Sequence, residues 1–564
     1  MIGGCRRSLI GTLRKHLESA HGASCTDACH MINRRRVFFG MYGKVSGACL
    51  QGIEGRIIEV EVDIASGLPQ INLVGLPDSA IREAVERVRA AIRNCGYKFP
   101  MDRITVNLAP ADLRKEGTAF DLAIAAGVLL ASRQIAADWT ERCLLIGELA
   151  LDGALRPVPG VLSMADAARR AGKIRIVLPA ACGAEARLIG DLEIVGIESL
   201  ADLQRPAGEL AQAAVAGAGG AAELERRGLL ALAANESELA EDYAEVSGQR
   251  AVKRAMMIAA AGRHNVLLIG PPGTGKTMLA KRLPTILPPM SDDEALEVTK
   301  IYSASGKLAP GMALLRRRPF RAPHHTISPA ALVGGGSLPK PGEVSLAHRG
   351  VLFLDELPEY SRTALEVLRQ PLEERAVTIG RARAVCTFPA QFILAAAFNP
   401  CPCGYYGSDT EVHRCTCTPL KIIQYRAKIS GPLLDRIDLH IEVPKPPYEQ
   451  LKQSAGALSS AEMRAVVMQA HERQQRRYAG RGMSGNAELS GRLLHNVCRL
   501  SAESEALLAD AFAALGLSAR AYDRVLRLAR TIADLEDSAA IEPVHIAEAI
   551  QYRSLDKQLL PQML

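Results

Sequence analysis

Between residues 44 and 197 strand-like and helix-like patterns of apolar positions alternate. "RIIEVEVDI", "INLVGL", "RITVNLAP" and "IRIVLP" lie among longer pieces such as "SAIREAVERVRAAIRNCG", whose apolar residues recur at helical spacing, and "FDLAIAAGVLLASRQI". This pattern predicts an α+β or α/β unit over 41–204. "RPAGELAQAAVAGAGGAAELERRG" has no strand signal and is rich in Ala and Gly, which predicts a linker with some helix over 205–240. Beyond it "HNVLLIG", a glycine-rich turn and "KTMLAKRLPTIL" read as strand, loop and helix, the start of a nucleotide-binding α/β core over 241–445. From about residue 450 the strand signal vanishes, and "AEMRAVVMQAHERQQRRY", "SEALLADAFAALG" and "SARAYDRVLRLARTIADLED" predict a helical lid over 446–564.

Composition narrows the class. The 564 residues are 48% apolar but only 4% aromatic, with one Trp, as suits a helical and α/β protein better than a β-sandwich. No run approaches the roughly 18 apolar residues that span a bilayer, and no secretory h-region opens the chain, so the expectation is a cytoplasmic protein without membrane contact. Nine of the 13 cysteines are scattered, the pattern of reduced thiols rather than of a disulfide frame. The net charge of +7 is compatible with nucleic acid as a partner but does not single it out. Residues 1–40 hold "RRSLI", "RKH" and "NRRRVFF" with few acids; a disordered extension or upstream start is the expectation, a nucleic-acid arm the alternative.

Chemistry concentrates in the core. "GPPGTGKT" (Gly270, Pro271, Pro272, Gly273, Thr274, Gly275, Lys276, Thr277) fits G-x-x-x-x-G-K-[ST]. In that pattern backbone N–H groups curl around phosphates, the lysine reaches the β/γ oxygens, and the threonine ligates Mg²⁺. "GVLFLDELPE" delivers Asp355 and Glu356 to the carboxyl end of a buried strand, Asp355 to hold Mg²⁺ through water and Glu356 to polarise the attacking water. "QFILAAAFNP" ends at Asn399, placed for the γ-phosphate or the water. "SGPLLDRIDLHIEV" carries Arg436, either a surface ion pair or an arginine that reaches across a subunit boundary to a transferring phosphoryl group, which requires an oligomer.

Cys401, Cys403, Cys415 and Cys417 form two C-x-C pairs starting two residues after Asn399. Four thiolates suffice for a closed tetrahedral Zn²⁺ site with no open position, a clip rather than a catalytic metal, with His413 as a substitute ligand and four unligated thiols as the alternative. "ERAVTIGRARAVCTFPAQF" predicts a hairpin around "GRA", and "RRRPFRAPHHTISPAALVGGGS" a mobile basic loop with Arg316, Arg317, Arg318 and Arg321. Its paired His324 and His325 lack nearby carboxylate or thiolate partners for a metal.

Together "YAEVSGQ", "GPPGTGKT", "VLFLDE", "FNPCPCG", "SGPLLDRIDLH" and "LSARAYDRVLRLARTIADL" resemble the magnesium-chelatase-like branch of AAA+ ATPases, specifically the YifB/ComM group, over 41–555. The resemblance implies a multi-domain α/β fold class with an AAA+ P-loop core and a C-terminal helical lid. It makes Lys276 and Thr277 Walker A, Asp355 and Glu356 Walker B, Asn399 sensor 1, Arg436 the arginine finger, and Arg520, in preference to Arg524, sensor 2. In related ring ATPases a hairpin before the sensor strand projects into the central pore, where Arg381 and Arg383 would meet DNA phosphates. The implied cofactors are ATP and Mg²⁺, and the implied activity is that of a homo-hexameric DNA translocase driving branch migration. A chelatase motor and a protein unfoldase are the rivals. The front domain resembles the Lon protease domain through "EGTAFDLAIAAGVLLA" and "GELALDGALRPVPGVLSMADAARRAGKIRIVLP". Ala119 stands at the position of the Lon serine and Leu162 at that of its lysine, so no peptidase chemistry is expected.

Overall fold

The computed structural model describes residues 41–136, 140, 142–204, 241–308, 314–336, 339–381, 384–407, 414–446, 458–553 and 555. Two main sheets organise them. The first contains β1 (Met41–Gln51), β2 (Glu54–Ala65), β3 (Gln70–Val74), β4 (Arg103–Ala109), β5 (Cys143–Leu145), β6 (Arg175–Pro179) and β7 (Glu193–Ile197), in the order β3-β4-β2-β1-β5-β6-β7. A hairpin pairs β1 with β2 from Met41–Ile64 to Gln51–Glu54. Alternation then sends Ile58, Val60, Val62 and Ile64 inward and Glu59 and Asp63 outward. Against this sheet lie α1 (Ser79–Asn94), capped by the Asp78 carboxylate on the Ile81 N–H, and the almost wholly buried α2 (Asp121–Ala131). Buried Asp121 is matched by Arg87 of α1 at 2.8 Å.

α3 (Val161–Arg170) covers the other end of the sheet. Ala119 and Leu162 are both buried in one apolar cluster with Leu144, Ile146 and Val161. The two positions compared with the Lon serine and lysine thus carry a methyl and an isobutyl group packed in this cluster.

The second sheet contains five parallel strands. After α4 (Arg250–Gly262) come β8 (Val266–Ile269), α5 (Lys276–Ile286), α6 (Asp292–Ala304), β9 (Phe320–Arg321) and β10 (Val351–Leu354). A hairpin of β11 (Ala376–Arg381) and β12 (Ala384–Pro389) precedes β13 (Ile393–Phe398), and α7 (Pro419–Arg426) precedes β14 (Leu439–Glu442). The order is β9-β10-β13-β8-β14. β8, β10 and β13 are buried at every position, which is why they read as continuous apolar runs.

The lid consists of α8 (Ser460–Arg477), α9 (Ala502–Leu515), α10 (Ala519–Leu535) and α11 (Pro543–Gln551). Ser459 and Glu462 form a capping box that starts α8. Met463, Val467, Val525, Leu528 and Ile532 share one apolar cluster with Val266, Leu268 and Leu279 of the core, so lid and P-loop helix pack as a single body. The front domain touches the core through α3 and α6: Lys300 Nζ lies 2.5 Å from Asp166, and Glu185 accepts both the Ser303 hydroxyl and the Leu162 N–H. Ile53, in the β1–β2 turn, joins the apolar cluster of the core that contains Phe388. No helix among the described residues is long and apolar enough to cross a membrane.

Candidate nucleotide site and arginine cavity

β8 ends at Ile269 and the chain turns through Gly270–Gly275 before α5 begins at Lys276. Gly273 and Gly275 adopt φ of 75° and 86°, which L side chains avoid, and this lets the loop curl over the start of α5. Lys276 is buried, and its Nζ donates to the carbonyls of Gly270 (2.7 Å) and Pro271 (2.8 Å) and to Asn399 Oδ1 (3.1 Å). All three partners are neutral, and burial lowers the lysine pKa; an anion in the loop would satisfy the charge better than they do. Thr277 donates its hydroxyl to Asp355 Oδ2 at 2.7 Å, so the two side chains proposed for Mg²⁺ already meet. Asp355 Oδ1 accepts the Glu356 N–H at 3.0 Å, and Glu356 takes φ 51° with an exposed carboxylate. Asn399 gives its oxygen to Lys276 and keeps its amide N–H₂ to donate elsewhere. These oxygens and amines suit a Mg²⁺-nucleotide: Thr277 and Asp355 for the metal, the loop N–H groups and Lys276 for phosphate.

The cysteine loop sits against this site. Cys401, Cys403, Cys415 and Cys417 place their sulfurs within 4.8 Å of one another, the only group of three or more potential metal ligands among the described residues. Three of the separations are 3.2, 3.8 and 3.6 Å, close to the roughly 3.8 Å edge of a tetrahedron with Zn–S bonds of about 2.3 Å. Burial opposes ionisation of Cys403, yet the N–H groups of Tyr405 and Thr416 and the neighbouring thiols bring its pKa down to about 6. The donor set fits a structural Zn²⁺; His413 lies outside the described residues. Gly404, at φ 90°, packs so closely on Pro272 that a Cβ there would lie 2.6 Å from the proline ring. Arg426 of α7 braces the loop from outside, donating to the Pro400 carbonyl at 3.1 Å and lying over the Tyr406 ring. Neither the Pro272 contact nor the Arg426 brace has a local sequence signature.

Arg436 lies elsewhere. With Arg520 and Arg524 it lines a cavity of about 490 Å³ whose walls carry eight arginines and five carboxylates, and none of Lys276, Thr277, Asp355, Glu356 or Asn399. Asn265, Gly350 and Ile393 also line it, at the amino ends of β8, β10 and β13, whereas the phosphate loop, Asp355 and Asn399 follow the carboxyl ends of the same strands. Arg436 is paired with Glu373 and bonded to the Pro432 carbonyl, leaving its buried Nε without a partner among the described residues. Arg524 is held by Asp438 at 3.2 Å, while Arg520, in the first turn of α10, is exposed to the cavity.

The basic insert differs from its expectation. Arg318 is buried against Glu294 and Arg321, half-buried, is doubly bonded to Glu343, so these two brace the core, whereas Arg316, paired with Asp292, and Arg317 are exposed. In the glycine cluster, Gly334 and Gly335 pair with Pro341 and Lys340. Arg381 ends β11 at the hairpin tip, and Arg383 lies outside the described residues.

Three family models and several curated relatives match this chain. The model for "Magnesium chelatase, subunit ChlI" matches residues 242–451, that for "Subunit ChlI of Mg-chelatase" 60–182, and that for "Magnesium chelatase, subunit ChlI C-terminal" 457–553. Protein YifB of Salmonella typhimurium is 45% identical over 513 residues, covering 90% of this chain and 96% of its own. Competence protein ComM of Haemophilus influenzae is 42% identical over 510 residues, with the same two coverages of 90% and 96%. Lon protease 2 of Bacillus subtilis is 28% identical over 153 residues, 25% of this chain and 26% of the protease. With the P-loop core, the lid and the Lon-like front unit all accounted for, the chain belongs to the YifB/ComM group of the magnesium-chelatase-like AAA+ family.

Proposed function

We propose that the protein is a homo-hexameric, ATP-driven DNA translocase and helicase of the cytoplasm that promotes branch migration of recombination intermediates during natural transformation. The observation that supports this reading is that Arg436 and Arg520 line a cavity at the amino ends of the same parallel strands whose carboxyl ends carry the phosphate loop, Asp355 and Asn399. A four-residue strand spans about 13 Å, so Arg436 and Arg520 lie a strand's length from their own subunit's phosphate loop. They serve a neighbour's pocket instead, and the enzyme is complete only between subunits.

Within each pocket Lys276 leaves the loop carbonyls for β/γ oxygens, and Asn399 donates to the γ-phosphate. Thr277 and Asp355 would hold a Mg²⁺, which when bound would neutralise phosphate charge. Glu356 accepts a proton from water as the water oxygen bonds to phosphorus and the bond to the β-phosphate oxygen breaks. The neighbour's Arg436 leaves Glu373 to stabilise the charge that develops. The four cysteines would hold a Zn²⁺, and the metal would then fix the loop that packs on Pro272.

DNA as the substrate is supported by the hairpin carrying Arg381 and Arg383 and by the printed name of a relative, Competence protein ComM. Hydrolysis rates measured with and without single-stranded and forked DNA, followed by strand displacement, test the reading. Stimulation that weakens with added salt is expected; a rate indifferent to DNA, together with no salt-sensitive binding, would refute it.

A further inference from the structure

At the amino ends of the strands a polar hub holds two of the arginines that line the cavity, and the phosphate chemistry makes no use of it. Asn265 precedes β8 and Asp438 precedes β14, and the register of these parallel strands, Val266 opposite Leu439, sets the two residues side by side. Asn265 commits its backbone and its side chain. Its N–H donates to Asp438 Oδ2 at 3.1 Å, its carbonyl accepts the N–H groups of Asp438 and Leu439, its Oδ1 accepts the Leu394 N–H of β13 at 2.8 Å, and its Nδ2 donates to the Arg436 carbonyl at 3.0 Å. Asp438 is buried, and its other oxygen, Oδ1, lies 3.2 Å from Arg524 Nε. His264 ties the hub to the lid: its Nε2 is 2.8 Å from the Thr531 hydroxyl of α10 and its Nδ1 3.4 Å from Asp438 Oδ2. Gly262 leaves room for this, since a Cβ there would stand 2.6 Å from Thr531 Oγ1 and closer still to the His264 ring.

We infer that Asn265 and Asp438 are positioning residues for the arginines that complete a neighbour's phosphate site. Asn265 fixes the backbone of Arg436, and Asp438 aims the guanidinium of Arg524. Both arginines are more than nine-tenths buried, and Arg436 Nε and Arg524 Nη1 have no partner among the described residues, so each keeps a donor for an incoming anion. Asn265 also stands at the start of the strand that runs into the phosphate loop, so β8 sets the span between a subunit's own loop and the arginines it lends. The inference rests on the proposed reading that this cavity serves a neighbour's pocket.

The test uses the full chain, with ATP turnover, affinity for a fluorescent nucleotide analogue, and subunit mixing. Two near-isosteric variants each remove one hold. Asp438→Asn takes away the charge that pairs with Arg524, and Asn265→Asp keeps the acceptor for Leu394 but puts an oxygen in place of the donor to the Arg436 carbonyl. Each is expected to lower kcat about tenfold to 10²-fold, the cost of a misaimed group, while analogue affinity stays within about threefold. Mixed in equal amounts with Glu356→Gln, each should recover part of the turnover, because some junctions join an intact Glu356 to well-aimed arginines. Mixed with Arg436→Ala neither should, because every junction then has a damaged arginine face. A residue that merely stabilised its own subunit would not sort the two partners in this way, and should one variant fail to fold, the other decides. If Arg436→Ala and Glu356→Gln complement each other, but the hub variants turn over like wild type, or recover with both partners or with neither, the positioning role is refuted and the neighbour reading stands. If Arg436→Ala and Glu356→Gln do not complement each other, the neighbour reading falls and takes this inference with it.

Discussion

On the proposed reading Lys276 serves binding and Glu356 serves chemistry, and single substitutions should separate the two. Lys276→Ala removes the cation from the loop and is expected to abolish nucleotide binding, as measured by calorimetry or a fluorescent analogue. Glu356→Gln keeps shape and removes the base, so binding should persist while hydrolysis falls about 10²-fold or more. These residues were legible because phosphate chemistry requires them at fixed spacing and at strand ends. Glu373, which holds Arg436, was not, because the two are 63 positions apart and meet only through folding. Glu294 was equally silent: burial would raise its pKa, but Arg263, Arg318 and Arg349 bring it down from 4.5 to about 2. A depressed carboxylate stabilises the fold above its unfolded pKa and loses that contribution as pH falls through the folded value. The contribution is therefore full above about pH 4.5, worth about 2–3 kcal/mol, and fades toward pH 2. Thermal unfolding of Glu294→Gln should show a lower midpoint than wild type at neutral pH and a narrower gap near pH 3.

Elements proved readable wherever one period dominated. The buried strands β8, β10 and β13, the hairpin around Gly380 and the amphipathic α10 all announce themselves in the pattern of apolar residues. The basic insert misled because clustered arginines look the same in sequence whether they face solvent or, like Arg318, lie buried with burial pushing the guanidinium down to about 10. The cysteine loop was readable as a metal clip but not as a neighbour of the phosphate loop, a contact made by Gly404 and Pro272 through space. Gly404→Val should both strain the backbone at φ 90° and drive a methyl into Pro272. The expected outcome is a fall of several degrees in melting temperature with weakened nucleotide affinity. Purified protein should carry close to one zinc per chain by elemental analysis, and Cys401→Ser with Cys403→Ser should lose it.

For the whole molecule, the front unit was legible as a fold through its Lon-like segments, and the apolar side chains of Ala119 and Leu162 fit its core. How it docks was not, since Lys300 and Asp166 are 134 residues apart. Subunit mixing tests the division of labour between neighbours. Arg436→Ala alone is expected to cost about 10³-fold in turnover, and Glu356→Gln alone about 10²-fold or more. Mixed in equal amounts, the two should recover a measurable fraction, because some junctions pair an intact Glu356 with an intact Arg436; no recovery would argue that each chain works in isolation. If the proposed site is completed by a neighbour's arginine from the opposite strand ends, turnover per chain should drop on dilution and return when single-stranded DNA gathers the copies, so that output would follow how much of the protein is present.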